Sequence, residues 1–198
     1  MAKEKIEWIQ SRCDRADENK LPRVLLAGDS ITLGYAERVK ELLYDKYYVD
    51  YIATSYMPDS PFFNVLLPEF IKDGKYAIAH INVGLHGEKL SKRAYYSKYL
   101  RLLTSIKKTK IVLATSTAVH EKGGEKLDKI WTKKLKERND SVLKICQKEG
   151  YKTDDLYAVS LRIPKQLRNE DGVHYLDEGY AFLAEYVAES IKDAMTEK

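Results

Sequence analysis

The sequence predicts an α/β fold: a parallel sheet with helices on both faces, joined by right-handed crossovers. Three observations carry that reading. Short apolar, β-rich runs alternate with longer stretches of helical spacing along the chain. The runs are apolar almost throughout, as strands buried on both faces must be. No internal repeat, linker or low-complexity stretch interrupts the alternation.

Residues 23–27 (RVLLA) form the first run and end at Gly28; helical spacing follows over 32–46. Residues 47–53 (YYVDYIA) return to strand composition, and 64–72 read as a short helix. Residues 76–83 (YAIAHINV) are the third strand. Ser91 is placed to cap the next helix, where Tyr95, Tyr99, Leu102, Leu103 and Ile106 share one face. Residues 111–114 make the fourth strand. In the helix over 125–149, Leu127, Trp131, Leu135, Val142 and Ile145 lie near one side. Residues 155–159 are read as a short fifth strand. The last helix begins near Asp177 and carries a stripe of Tyr180, Leu183, Ala184, Val187, Ala188 and Ile191. The 198 residues suit one domain, with its core over 22–193 and an N-terminal extension over 1–21.

Composition narrows the function classes. Apolar residues make up 44% and charged residues 32%, which excludes a disordered or collagenous chain. No apolar run approaches the roughly 18 residues of a membrane span. The net charge of +4 is spread along the chain rather than gathered into a basic patch, so no nucleic-acid partner is expected. Cys13 and Cys146 have no paired spacing, and no His/Cys cluster has metal-ligand spacing. Neither dinucleotide nor P-loop glycine pattern occurs, so no cofactor or metal is expected. The charged N-terminus lacks a leader's apolar core, which points to a reduced, cytoplasmic setting. A mature secreted form with its leader removed would read the same way.

In a parallel α/β sheet, ligands bind beyond the carboxyl ends of the strands. The segments to watch are therefore 28–32, 53–60, 84–88 and 115–119, joined by 169–175 if the last loop returns to that edge. Gly28-Asp29-Ser30-Ile31-Thr32 sits at a strand-to-helix junction. A serine there lies at the sheet edge, where backbone N–H groups and a helix N-terminus favour developing negative charge. The alternative is that Ser30 or Thr32 only caps the helix. Asp171-Gly172-Val173-His174 supplies the base such a serine needs, with a carboxylate placed to hold the imidazole tautomer. On its own that tetrapeptide reads equally as a surface turn. His80 reads as a core residue, and His120 as one that follows the fourth strand.

Together, LLAGDSIT near the N-terminus and DGVHYLDEGY near the C-terminus resemble the first and last signature blocks of the SGNH (GDSL-type) esterase/lipase superfamily, in the same order. The resemblance implies a three-layer α/β/α flavodoxin-like fold with a five-stranded parallel sheet, and hydrolysis of an ester. By it Ser30 is the nucleophile, His174 the base and Asp171 its orienting partner. The family's third block is usually Gly-x-Asn-Asp, with Asn completing the oxyanion hole. Here Asn82-Val83-Gly84-Leu85-His86-Gly87 puts His86 in that place, similar to a branch with an NGLHG-like block. One imidazole N–H can serve an oxyanion, so the expected hole is the Ser30 amide, Gly84 and His86. A loop histidine that binds substrate or packs is the other reading.

The second block normally offers a glycine amide. Residues 53–58 contain none and Pro58 has no N–H, so Ser55 is the stand-in. Asp29, Tyr56, Thr115 and Tyr175 are the expected substrate contacts. Tyr35, Tyr56 and Tyr175 are candidates to stack on sugar rings, which makes carbohydrate O-deacetylation the leading substrate expectation. The rivals are a lysophospholipase or thioesterase of the same fold, and a noncatalytic flavodoxin-like module binding a nucleotide or phosphosugar at 28–32.

Overall fold

The strand order explains where the site lies. In the computed structural model, which describes residues 3–87, 90–106 and 108–196, the strands are β1 (Ile9–Arg12), β2 (Arg23–Gly28), β3 (Tyr48–Thr54), β4 (Ile78–Asn82), β5 (Lys110–Ala114) and β6 (Lys152–Asp154). They form one sheet in the order β1-β3-β2-β4-β5-β6. From β3 to β6 all neighbours are parallel. The chain leaves β2 toward β3 on one side and reaches β4 on the other, so the topological switch falls at the carboxyl end of β2. Crevices open at such points, with ligands beyond the strand ends.

The helices are α1 (Ser30–Leu43), α2 (Pro61–Gly74), α3 (Lys92–Ser105), α4 (Lys129–Glu149), the short α5 (Leu156–Leu161) and α6 (Asp177–Thr196). Successive residues of a strand face opposite ways, and the two cores divide accordingly. Val24, Leu26 and Val112 pack with Ile31, Val39, Leu156, Leu183 and Val187 under α1, α5 and α6. Leu25, Ala27 and Leu113 pack with Phe63, Leu67, Tyr95, Tyr99, Val142 and Ile145 under α2, α3 and α4. The result is the expected three-layer α/β/α arrangement. Ser60, Ser91 and Asp128 cap α2, α3 and α4 with side-chain oxygens. No helix among the described residues is long and apolar enough to cross a membrane.

Two expectations need correcting. Residues 155–159 are not a strand. The fifth parallel strand is the three-residue β6, and Asp155 turns the chain straight into α5 by accepting the Ala158 N–H at 3.2 Å. The sheet also has a sixth strand. Residues 9–12, read as part of an extension ahead of the core, pair antiparallel with β3, Ile9 opposite Thr54 and Arg12 opposite Tyr51. Glu88, in the 84–88 segment, lies outside the described residues.

Candidate active site

β2 ends at Gly28, where the backbone of β4 passes so near that a Cβ would lie 2.4 Å from the Asn82 carbonyl oxygen. Asp29 then caps α1: it is buried, and its Oδ1 accepts the Ile31 N–H at 3.0 Å. Burial pushes its carboxyl up, against the pull of the His86 imidazole, the Ile31 and Leu85 N–H groups and His174. Ser30 is the first helical residue, and its hydroxyl stands at the positive end of the helix.

The loop before α6 meets it there. His174 Nε2 lies 2.8 Å from Ser30 Oγ, across 144 residues of chain. Its Nδ1 lies 2.6 Å from Asp171 Oδ2. A carboxylate only accepts, so Nδ1 carries the proton and Nε2 of the neutral ring accepts from the serine hydroxyl. Asp171 is held in turn. Its Oδ1 accepts the backbone N–H of Val173 at 2.8 Å and of His174 at 2.9 Å. Burial raises the Asp171 carboxyl, and these hydrogen bonds, the His174 ring first, outweigh it and leave it below its ordinary value. Gly172 allows the turn: its φ is +79°, and a Cβ would come within 2.2 Å of the His120 carbonyl oxygen. The His120 N–H donates to the Gly172 carbonyl at 2.8 Å, tying the loop to the segment after β5. His120 itself is buried, which lowers its pKa. His80 is a core residue, its Nε2 2.9 Å from Asp154 Oδ2.

The segments after β3 and β4 are built differently. The segment before β1 folds across the ends of β3 and β4. The Ser55 N–H donates to the Trp8 carbonyl at 3.3 Å. Its hydroxyl donates to Glu7 Oε2 at 2.7 Å and accepts the Trp8 N–H at 2.9 Å. The amide proposed for an oxyanion hole is therefore spent on extending the β1–β3 pairing. His86 Nδ1 lies 2.9 Å from Glu4 Oε2, while Glu4 Oε1 accepts the Gly87 N–H at 3.1 Å. The Trp8 ring stands edge-on to the imidazole, centroids 6.3 Å apart. At Gly84 a Cβ would fall 1.8 Å from Ser116 Oγ, so only glycine lets the loop lie this close to the segment after β5.

Arg138, which the sequence reading missed, fixes that loop from below. It is buried on α4, and its guanidinium donates to the carbonyls of Gly84 and, at 2.7 Å, Gly87. A signal was there: Arg138 interrupts the apolar stripe of Leu135, Val142 and Ile145 at helical spacing, where a cation needs a partner.

The expected substrate contacts are scattered. Tyr56 is half-buried, edge-on to Phe62. Thr115 is buried; its hydroxyl donates to Asp155 Oδ1 at 2.8 Å and accepts the Tyr157 N–H at 2.9 Å, anchoring the start of α5. Tyr175 and Tyr35 are core rings, 5% and 0% exposed, and have no face to offer a sugar. Among the described residues no group of three or more His, Cys, Asp or Glu side chains is placed to hold a metal ion.

No protein-family model and no curated protein sequence matches the chain. Solved structures do. A lipase/acylhydrolase from Enterococcus faecalis superposes with a TM-score of 0.71 at 17% identity, over 87% of this chain and 96% of its own. The chain has the SGNH (GDSL-type) hydrolase fold. A GDSL-like lipase from Bacteroides thetaiotaomicron gives 0.68 at 17% identity, covering 87% and 88%. An acetyl xylan esterase from Geobacillus stearothermophilus gives 0.69 at 18%, covering 86% and 94%. Within this fold, the turn after β2 and the loop before α6 meet through Ser30, His174 and Asp171. After β3 and β4, Ser55 is bonded to the N-terminal segment and His86 is paired to Glu4.

Proposed function

We propose that the protein is a serine ester hydrolase that works through an acyl-enzyme and removes short acyl groups, acetyl above all, from carbohydrate. The observation that carries this reading is the unbroken line from Ser30 Oγ through His174 to Asp171. A hydroxyl is a weak nucleophile until a base takes its proton as it attacks, and a base oriented by a third group is the arrangement that does so.

In the first step Ser30 Oγ attacks the ester carbonyl and its proton passes to His174 Nε2. Asp171 stabilises the imidazolium and stays ionised, as its lowered pKa requires. The negative charge gathers on the former carbonyl oxygen, at the N-terminus of α1, where the Ser30 N–H meets it. The loop of Gly84 and His86 supplies the facing donors. His174 then protonates the leaving alkoxide. Water, losing a proton to the same imidazole, releases the acid and restores Ser30.

The acetyl preference draws support from the acetyl xylan esterases among the similar folds and from a site open to bulky alcohols. The His174 and Asp171 side chains are 37% and 41% exposed. A series of chromogenic esters of increasing acyl length, together with acetylated xylan, tests it. Acetate should give the highest kcat/KM, falling steadily with chain length. A maximum at long acyl chains would replace this reading with a lysophospholipase or thioesterase. Retained ligand without turnover would replace it with a binding module.

A further inference from the structure

The net charge of +4 is spread along the chain but not around the molecule. Helix α3 carries four basic residues and no acidic one, and α4 carries seven against three. In the helical layer on the other face of the sheet, α6 carries one against five. The basic layer also holds a groove. Between α2 and α3 lie two cavities of about 500 and 390 Å³, with Ser105 on the wall of both. The groove follows the 14 residues of α2, a length of about 20 Å at the helical rise of roughly 1.5 Å per residue. Its floor is largely apolar: Ile71, Tyr76, Leu102 and Ile106 are buried there. Pro58, Pro61 and Pro68 stiffen one wall, on which Val65 stands 64% exposed.

Five cations line this groove against two acids, Asp59 and Glu69. Lys72 pairs with Glu69 at 3.2 Å. Lys75, Lys98, Arg101 and Lys108 make no ion pair among the described residues. Two of these four sit in strained backbone. Lys75 has a φ of 49° and Lys108 one of 63°, and with Arg15 they are the only non-glycine residues of positive φ among those described. Glycine adopts that conformation without the clash a Cβ brings. Lysine at both turns accepts the strain and sets two cations at the same end of the groove. We propose that the groove between α2 and α3 is a docking site for an acidic amphipathic helix of a protein partner. Its apolar face lies on Val65, Leu102 and Ile106, and its carboxylates meet Lys75, Lys98, Arg101 and Lys108. An apolar groove between two helices takes one helix face, read at i, i+3, i+4 and i+7, and about 20 Å holds about 14 residues. The concave shape suits a helix rather than a flat lipid surface. None of these side chains belongs to the line from Ser30 to Asp171, so the proposal stands apart from the hydrolase reading.

The test is fluorescence anisotropy of a labelled helical peptide of that length, with Leu at i, i+3, i+4 and i+7 and Glu on the flanks, titrated with the full chain. Binding should appear, and should weaken as salt is raised. Lys98→Glu combined with Arg101→Glu should lower affinity at least roughly 10-fold, because like charges then face each other. Lys75→Gly and Lys108→Gly should each lower it roughly 2 to 5-fold, the range of one exposed ion pair. Their melting temperatures should hold or rise, since glycine relieves the positive φ; a purely structural role for these lysines would move stability and leave affinity alone. No binding of the peptide, equal binding of a scrambled peptide of the same composition, or unchanged affinity in the Lys98→Glu, Arg101→Glu variant would overturn the proposal. So would two other results. Capture by phosphatidylserine vesicles without peptide binding would give the basic layer to lipid, and a concentration-dependent dimer lost in the double variant would give the groove to a second copy of the chain.

Discussion

The loop before α6 and the loop after β4 are built on opposite plans. In the first, Asp171 and His174 come from a single turn, three residues apart, clamped by their own backbone. In the second, His86 depends on Glu4, 82 residues earlier in the chain, and on Arg138 from α4, which holds the loop by its carbonyls. The Asp171–His174 pair is a local motif within one turn; the contacts of the His86 loop are a joint between distant segments. A local motif tolerates sequence change around it, whereas a joint is rebuilt whenever one contributor changes.

Substitutions in each loop should separate the plans. The largest effect is expected from Asp171→Asn. The amide keeps an oxygen for the Val173 and His174 N–H groups, so the turn should fold. Its NH₂ would donate to Nδ1 and push the imidazole proton to Nε2, leaving no base for Ser30. A loss on the order of 10⁴ in kcat follows by analogy with the serine proteases, measured beside an unchanged circular dichroism spectrum. Near-full activity would mean that another acceptor orients His174.

On the joint side, His86→Ala should lower kcat roughly 10² to 10³-fold, about 2.7–4 kcal/mol of oxyanion stabilisation, with little change in KM. A rise in KM alone would assign the ring to substrate binding. A fall in melting temperature with intact kinetics would assign it to packing.

The smallest effect concerns acid. Asp171 has a folded pKa below its unfolded one, so its contribution to stability is complete above the unfolded value of about 3.9 and is lost as pH falls through the folded value. The melting-temperature gap between the wild type and Asp171→Asn should therefore be open at neutral pH and close at strongly acid pH. The gap should be narrow, since the side chain is 41% exposed. A gap that widens in acid would reverse the assignment.

What could be read from the sequence follows the same division. Gly28-Asp29-Ser30 and Asp171-x-x-His174 are short-range patterns whose geometry is set by one turn each, and the two turns come within hydrogen-bond distance of each other. The buried strands were visible because a parallel sheet writes apolar runs. β1 was not, because all four of its residues are exposed and an edge strand without a buried face shows no alternation. β6 and α5 were confused because Asp155-Leu156-Tyr157-Ala158-Val159 has strand composition, and the cap that makes it helical is a single side-chain contact. Ser55 was misplaced for want of β1: its amide has a partner only once the N-terminal segment pairs with β3. Tyr175 was expected to contact substrate because it lies near a candidate loop, whereas its ring packs on Tyr180 of α6.

The most direct test of the central claim, that Ser30 is a nucleophile activated by His174, is intact-mass analysis after reaction with a fluorophosphonate. One adduct per chain is predicted, mapped to Ser30, absent from Ser30→Ala and greatly slowed in His174→Ala. Labelling of Ser30→Ala at the wild-type rate would contradict the account, because the reactive hydroxyl would then lie elsewhere.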